Sequence, residues 1–144
     1  MKTSIQLISA TILMMLVISC SNKSNDLTPS NSSENLTQNA WKVSYYEERG
    51  KDETSKFSGY QISFENGGVF KLSNSTETFT GSWSIGNKSD DSSSSSQKLI
   101  IYISGNYVAD ELQDDWVIAE QSENQMTLQD DSSDHSETLK LVKL

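Results

Sequence analysis

The chain has one histidine, His135, in the acidic stretch Asp130-Asp131-Ser132-Ser133-Asp134-His135-Ser136. Nucleophilic catalysis needs a nucleophile, a base and an orienting group within reach of one another. A Gly-x-Ser-x-Gly elbow is absent, and Cys20 is the only thiol. His135 with Asp131, Asp134 and Glu137 forms a metal-like grouping, but without a second His or Cys it serves zinc poorly. The simplest reading of His135 is a solvated hairpin residue. The pairs Asp90-Asp91, Asp110-Glu111, Asp114-Asp115 and Asp130-Asp131 suggest calcium, yet none follows the Asp-x-Asp-x-Asp-Gly spacing that sets oxygens around that ion. Glycoside cleavage would place paired carboxylates in a cleft, and these pairs fall in turns. The residues therefore predict no catalytic group, no metal and no cofactor, and a protein that is not an enzyme.

Aromatic residues offer the alternative chemistry, binding. Tyr60, Phe79, Trp83 and Trp116 could line a cup for a small apolar ligand, with the Tyr60 hydroxyl as its polar contact. Gly81, between Phe79 and Trp83, would leave a gap where a ligand approaches the strand. The competing reading of the same residues is plain core packing. Tyr46 and Tyr102 are expected on the outer face beside Ile100. Charge narrows the partners further. The chain carries 11 basic and 20 acidic side chains, and Lys2 is the only charge before Cys20, so residues 20–144 hold 10 against 20, a formal −10. Such a surface repels phosphate backbones, which Lys and Arg must neutralise. Nucleic acid is excluded as a partner, and anionic lipid gives no attraction.

Membrane attachment is expected from another feature. A short basic start, Met1-Lys2, precedes the apolar run Ile5 to Ile18, interrupted by Gln6, Ser9 and Thr11. That run is too short for the roughly 20 apolar residues a span requires and suits the apolar region of an export leader. It ends in Val17-Ile18-Ser19-Cys20. This tetrapeptide resembles the bacterial lipobox, which implies diacylglycerol on the Cys20 thiol, removal of residues 1–19 and acylation of the new amino group. Two acyl chains anchor stably. Ser21, rather than Asp, follows the cysteine, and by the enteric rule this implies the outer membrane. With Cys20 acylated no disulfide can form, and packing alone must stabilise the domain.

Residues 20–39 read as the lipidated cysteine and a flexible tether, because Ser21 to Asn39 is rich in Ser, Asn and Thr and poor in apolar residues. From residue 40 to 144 the pattern is that of strands. Eight segments are candidate strands: 41–46, 60–65, 69–73, 76–85, 99–103, 116–121, 125–129 and 138–143, with apolar–polar alternation as the main signal and 99–103 apolar on both faces. Asn66-Gly67-Gly68 between the second and third is a hairpin signal. Val108, Ala109 and Leu112 are spaced for one short helical turn. Gly86 to Ser96, with five consecutive serines, reads as a polar loop. The predicted fold is all-β: an eight-stranded antiparallel up-and-down barrel with one short helical turn. Its predicted inward residues are Trp41, Val43, Tyr45, Tyr60, Ile62, Phe64, Phe70, Leu72, Phe79, Trp83, Ile85, Leu99, Ile101, Ile103, Trp116, Ile118, Met126, Leu128, Leu139 and Leu141. So many large side chains predict a mostly filled interior.

From Leu36 onward the chain resembles the lipocalin-like lipoproteins of Bacteroidetes. The likeness rests on Trp41-Lys42-Val43, Phe57-Ser58-Gly59-Tyr60, Gly81-Ser82-Trp83-Ser84-Ile85, Leu112, and Asp115-Trp116-Val117. It implies a lipid-anchored calycin-type barrel. The Gly-x-Trp that opens true lipocalins is absent, since Asn39-Ala40 precede Trp41, and Lys140 or Lys143 would take the place of the basic residue covering that tryptophan. The leading expectation is a cell-envelope lipoprotein whose barrel binds a small apolar ligand. The alternative is an accessory or inhibitor-type module with a filled barrel that contacts a protein partner.

Overall fold

The computed structural model describes residues 29–87, 97–130, 132 and 136–144. Cys20, the leader, Asp90-Asp91, Asp131, Asp134 and His135 lie outside the described residues. The elements run α1 (Pro29–Thr37), β1 (Ala40–Glu48), β2 (Lys51–Asp52), a 3-10 turn (Thr54–Phe57), β3 (Gln61–Glu65), β4 (Val69–Ser73), β5 (Thr78–Asn87), β6 (Gln97–Tyr102), α2 (Tyr107–Asp110), β7 (Asp114–Gln121), β8 (Gln125–Gln129) and β9 (Glu137–Lys143). All strand pairs are antiparallel and follow chain order from β3 to β9; β1 pairs with both β3 and β9. The eight predicted strands thus close into a barrel, and β2 adds a short ninth strand on the end of β1.

Alternation along each strand supplies the interior. Trp41, Phe64, Phe70, Leu72, Leu99, Ile101, Trp116, Met126, Leu128, Leu139 and Leu141 are sealed from solvent, and Val43, Tyr60, Phe79, Trp83, Ile85 and Ile118 pack partly buried against them. One inward residue differs from expectation. The β1–β9 register shifts between Val43 and Tyr45, a bulge that inserts one residue and reverses the faces beyond it. Tyr46 therefore points inward, 1% exposed, and Tyr45 lies outside under the Lys140 ammonium, 5.5 Å from its ring centre. Tyr46 does not join Tyr102 on the outer face.

Helices and turns cover both ends of the barrel. At the end where β1 begins sits α1, in the segment expected to be a tether. Its residues are poor helix formers, and nine residues are too few for an isolated helix. Tertiary contacts hold it: Leu36 is fully buried, the Trp41 indole donates to the Leu36 carbonyl at 3.2 Å, and the Asn35 amide reaches across to the Ser122 carbonyl at 3.1 Å. The Asn39 side chain caps the last turn on the Asn35 carbonyl at 2.7 Å. Leu36→Ala is expected to cost about 2–5 kcal/mol, read as a lowered urea midpoint; an unchanged midpoint would return the segment to the status of a tether.

The opposite end is covered by Phe57 of the 3-10 turn and by Val108, Ala109 and Leu112, all buried. α2 is the short helical turn expected there. Asn106 starts it, its side-chain oxygen accepting from the Val108 and Ala109 amides at 3.0 Å each.

Candidate functional site

The structure does not bring the predicted cup residues together. Trp116 is a core pillar, 0% exposed, and its indole donates to the Leu112 carbonyl at 3.1 Å, fixing α2 over the barrel. Phe79 lies toward the α2 end, against Gly105: a Cβ there would overlap its ring. The Tyr60 hydroxyl is engaged by the Glu77 carboxylate, and the Asn106 amide donates to both groups at 3.1 Å. This cluster ties the start of β3 to the cap of α2. The gap expected at Gly81 is occupied, because a Cβ on that glycine would overlap the Tyr102 carbonyl oxygen and meet Ile103 at 2.9 Å. The glycine makes room for the chain leaving β6 to fold over the barrel end, so a ligand cannot approach the strand there.

Tyr60 lines a groove of about 490 Å³ beside Val43 and Phe57, and Trp83 reaches a separate opening. Its indole donates to the Glu65 carbonyl at 3.0 Å, and its ring meets Phe64 edge-on, with centres 5.4 Å apart. With Ile85 it forms the apolar floor of a crevice of about 340 Å³ between α1 and the β3–β4 turn, rimmed by Ser33, Glu34, Thr37, Asn66 and Ser84. That volume is at the lower limit for a small-molecule site, roughly 300 Å³.

A second polar cluster, at the α2 end, comes from the bulge. The Tyr46 hydroxyl donates to Glu111 at 2.6 Å and lies 3.2 Å from Glu137. The Lys56 ammonium donates to the other Glu111 oxygen at 2.7 Å and lies 3.7 Å from Glu48. Burial, then the Glu111 hydrogen bond, pushes the Tyr46 hydroxyl well above its ordinary range; the Glu111 hydrogen bond raises Lys56. Alternation placed Tyr46 outside, and Glu111 and Glu137 are far apart in the chain, so sequence carried no signal for this cluster. Among the described residues no group of three or more His, Cys, Asp or Glu could hold a metal ion.

A hydroxyl has one proton to give. With Tyr46 donating to Glu111, Glu137 pairs with that oxygen best when it carries its own proton. Burial holds the Glu137 carboxyl above its usual range; Glu48, Asp130 and Asp114 add to this, and the Tyr46 hydrogen bond opposes it. Because the folded pKa is raised, the stability linked to Glu137 is present below the ordinary carboxylate range and is lost as pH rises through the folded value. Glu137→Gln is expected to be more stable than wild type at pH 7 and to lose that advantage at pH 4. Parallel stability curves across this window, from urea unfolding, would refute the assignment.

No protein-family model matches the chain, and neither a curated protein nor a solved structure matches it.

Proposed function

We propose that this chain is an exported lipoprotein, akin to the lipocalin-like lipoproteins of Bacteroidetes, acylated on Cys20 and anchored to the cell envelope at the outer membrane. Its calycin-like barrel is non-catalytic and acts through its outer surface, as an accessory or inhibitor-type module for a protein partner. The observation that carries this reading is the filled and capped barrel. Large side chains occupy the interior, and Leu36 at one end and Phe57, Val108, Ala109 and Leu112 at the other are buried. A carrier with its ligand inside would need to give up packing that holds the fold together.

The crevice at Trp83 and Ile85 favours a second reading, a small apolar ligand held beside α1. Native mass spectrometry of the lipoprotein purified from its own membrane separates the two. The expected mass is residues 20–144 with their acyl groups and nothing else retained. A stoichiometric apolar compound, lost on Trp83→Ala, would make the protein a carrier.

A further inference from the structure

Asn66-Gly67 is the only Asn-Gly pair in the chain. It forms the tip of the β3–β4 hairpin, closed below by the Glu65↔Val69 pair. One side of the tip is pinned. The Trp83 amide donates to the Gly68 carbonyl at 2.8 Å, and a Cβ on Gly68 would lie 3.0 Å from the Trp83 carbonyl oxygen. The other side is not. Asn66 and Gly67 are exposed, and among the described residues no hydrogen bond holds the Asn66 side-chain amide or the Gly67 N–H. A Cβ on Gly67 would meet nothing within 4 Å, so the tip has room to turn. Four other asparagines are tied. The Asn35 amide donates to the Ser122 carbonyl, and the Asn39 amide to the Asn35 carbonyl. Asn74 accepts from the Thr76 and Glu77 amides, and Asn106 from those of Val108 and Ala109. Each of the four also precedes a residue with a side chain, Leu36, Ala40, Ser75 or Tyr107.

We infer that Asn66 is a self-modification site, where the folded chain deamidates through a cyclic imide with Gly67 and so changes the rim of the Trp83 crevice with time. The Gly67 nitrogen attacks Cγ of Asn66. An N–Cγ bond forms, the Cγ–Nδ2 bond breaks, and Nδ2 leaves as ammonia, taking the Gly67 amide proton. Water then opens the imide ring. Addition at Cγ gives aspartate at position 66. Addition at the main-chain carbonyl gives isoaspartate, with the chain routed through Cβ and Cγ. Nothing is oxidised or reduced, and water is the only co-reactant. Glycine favours the attack because it lets a backbone nitrogen approach closely. Both products place a new carboxylate on a rim that already carries Glu34 of α1. Isoaspartate also lengthens the loop whose closure sets the Phe64↔Phe70 register. The chemistry holds whether the barrel acts through its outer surface or through the crevice.

Ageing the purified protein tests this, at mildly alkaline pH, where a backbone nitrogen gives up its proton more readily. One portion is kept folded and a second is held in urea, and peptides from both are mapped by mass spectrometry. In the folded portion Asn66 should convert from amide to acid while Asn35, Asn39, Asn74 and Asn106 stay amides. Isoaspartate should be among the products, and the whole protein should move to a more acidic position on ion exchange. Gly67→Ala, which sets a Cβ beside the attacking nitrogen, should slow the conversion severalfold. Conversion in urea alone would mean that the hairpin holds Cγ away from the Gly67 nitrogen, and would overturn the proposal. Aspartate without isoaspartate would overturn it too, since direct hydrolysis of the side-chain amide gives that product alone. An unchanged rate in Gly67→Ala would count against the imide in the same way.

Discussion

Gly81→Ala is expected to lose about 3 kcal/mol or more of stability, and Gly81→Leu is expected not to fold. The reason is the identity of the neighbours. A Cβ at this position would overlap the Tyr102 carbonyl oxygen and lie 2.9 Å from both Cα and Cβ of Ile103. These are backbone atoms and a β-branched buried side chain, so neither can rotate aside. Relief requires β6 to part from β5 beyond the Ser82↔Tyr102 pair. That would displace Ile103 and loosen the crossing to α2, whose Val108, Ala109 and Leu112 close the barrel. Gly67 is the internal comparison: its φ is +83° but its Cβ would meet open space, so Gly67→Ala should cost only about 1–2 kcal/mol for the left-handed backbone. Urea unfolding followed by tryptophan fluorescence compares the two directly. Equal, small losses would show that the close approach of Tyr102 and Ile103 is wrong. A folded Gly81→Leu that merely stopped binding a small molecule would restore the cup expected from sequence.

The same glycine illustrates what the chain does and does not disclose. The barrel strands were legible because a half-buried strand must alternate and alternation is local, and Leu99 to Ile103 because a short apolar run between polar stretches fits a buried strand. Asn66-Gly67-Gly68 was legible because positive φ, +83° and +80° at its glycines, leaves few residue choices. The Val108–Leu112 turn was legible from its spacing. The failures are all non-local. Gly81 reads as a gap until the fold brings Ile103 over it. The bulge between Val43 and Tyr45 moves one tyrosine in and its neighbour out, and adjacent Tyr45 and Tyr46 are equally suitable for either face. α1 has helix-averse composition and exists through Leu36, Asn35 and Trp41 contacts with the barrel. β2 is two residues long, joined by the Arg49-Gly50 turn with φ of +51° and +79°, too short for a periodic signal. Of the predicted site residues Tyr60 and Trp83 line openings, and separate ones, because aromatic type alone does not distinguish a pillar such as Trp116 from a lining.

Cys20→Ala, exported behind an ordinary secretory leader so that cleavage does not depend on the thiol, is expected to move the protein from the membrane fraction to the soluble one. Residues 20–144 carry 10 basic against 20 acidic side chains, so headgroup attraction is absent. α1 is nine residues long, about 14 Å of helix, and its one buried apolar residue, Leu36, faces the barrel. What is left is the lipid proposed on Cys20. Each buried methylene adds about 0.8 kcal/mol, one chain binds reversibly and two anchor stably, so loss of the acyl groups is close to all or none in effect. With the proposed anchor on Cys20, the fold would also give the molecule an orientation. Cys20 precedes Pro29 by nine positions, at most roughly 30 Å of chain, and α1 covers the barrel end where β1 begins. The opposite end carries Glu111, Asp114, Asp130 and Glu137, which anionic headgroups would repel. Amine-reactive and carboxyl-reactive labelling of the lipoprotein in vesicles should therefore protect Lys143, at the α1 end, more than it protects those four acids, and the difference should disappear in the soluble Cys20→Ala protein. Retention of that variant in the membrane fraction would mean that a surface of the barrel, and not its lipid, holds it there.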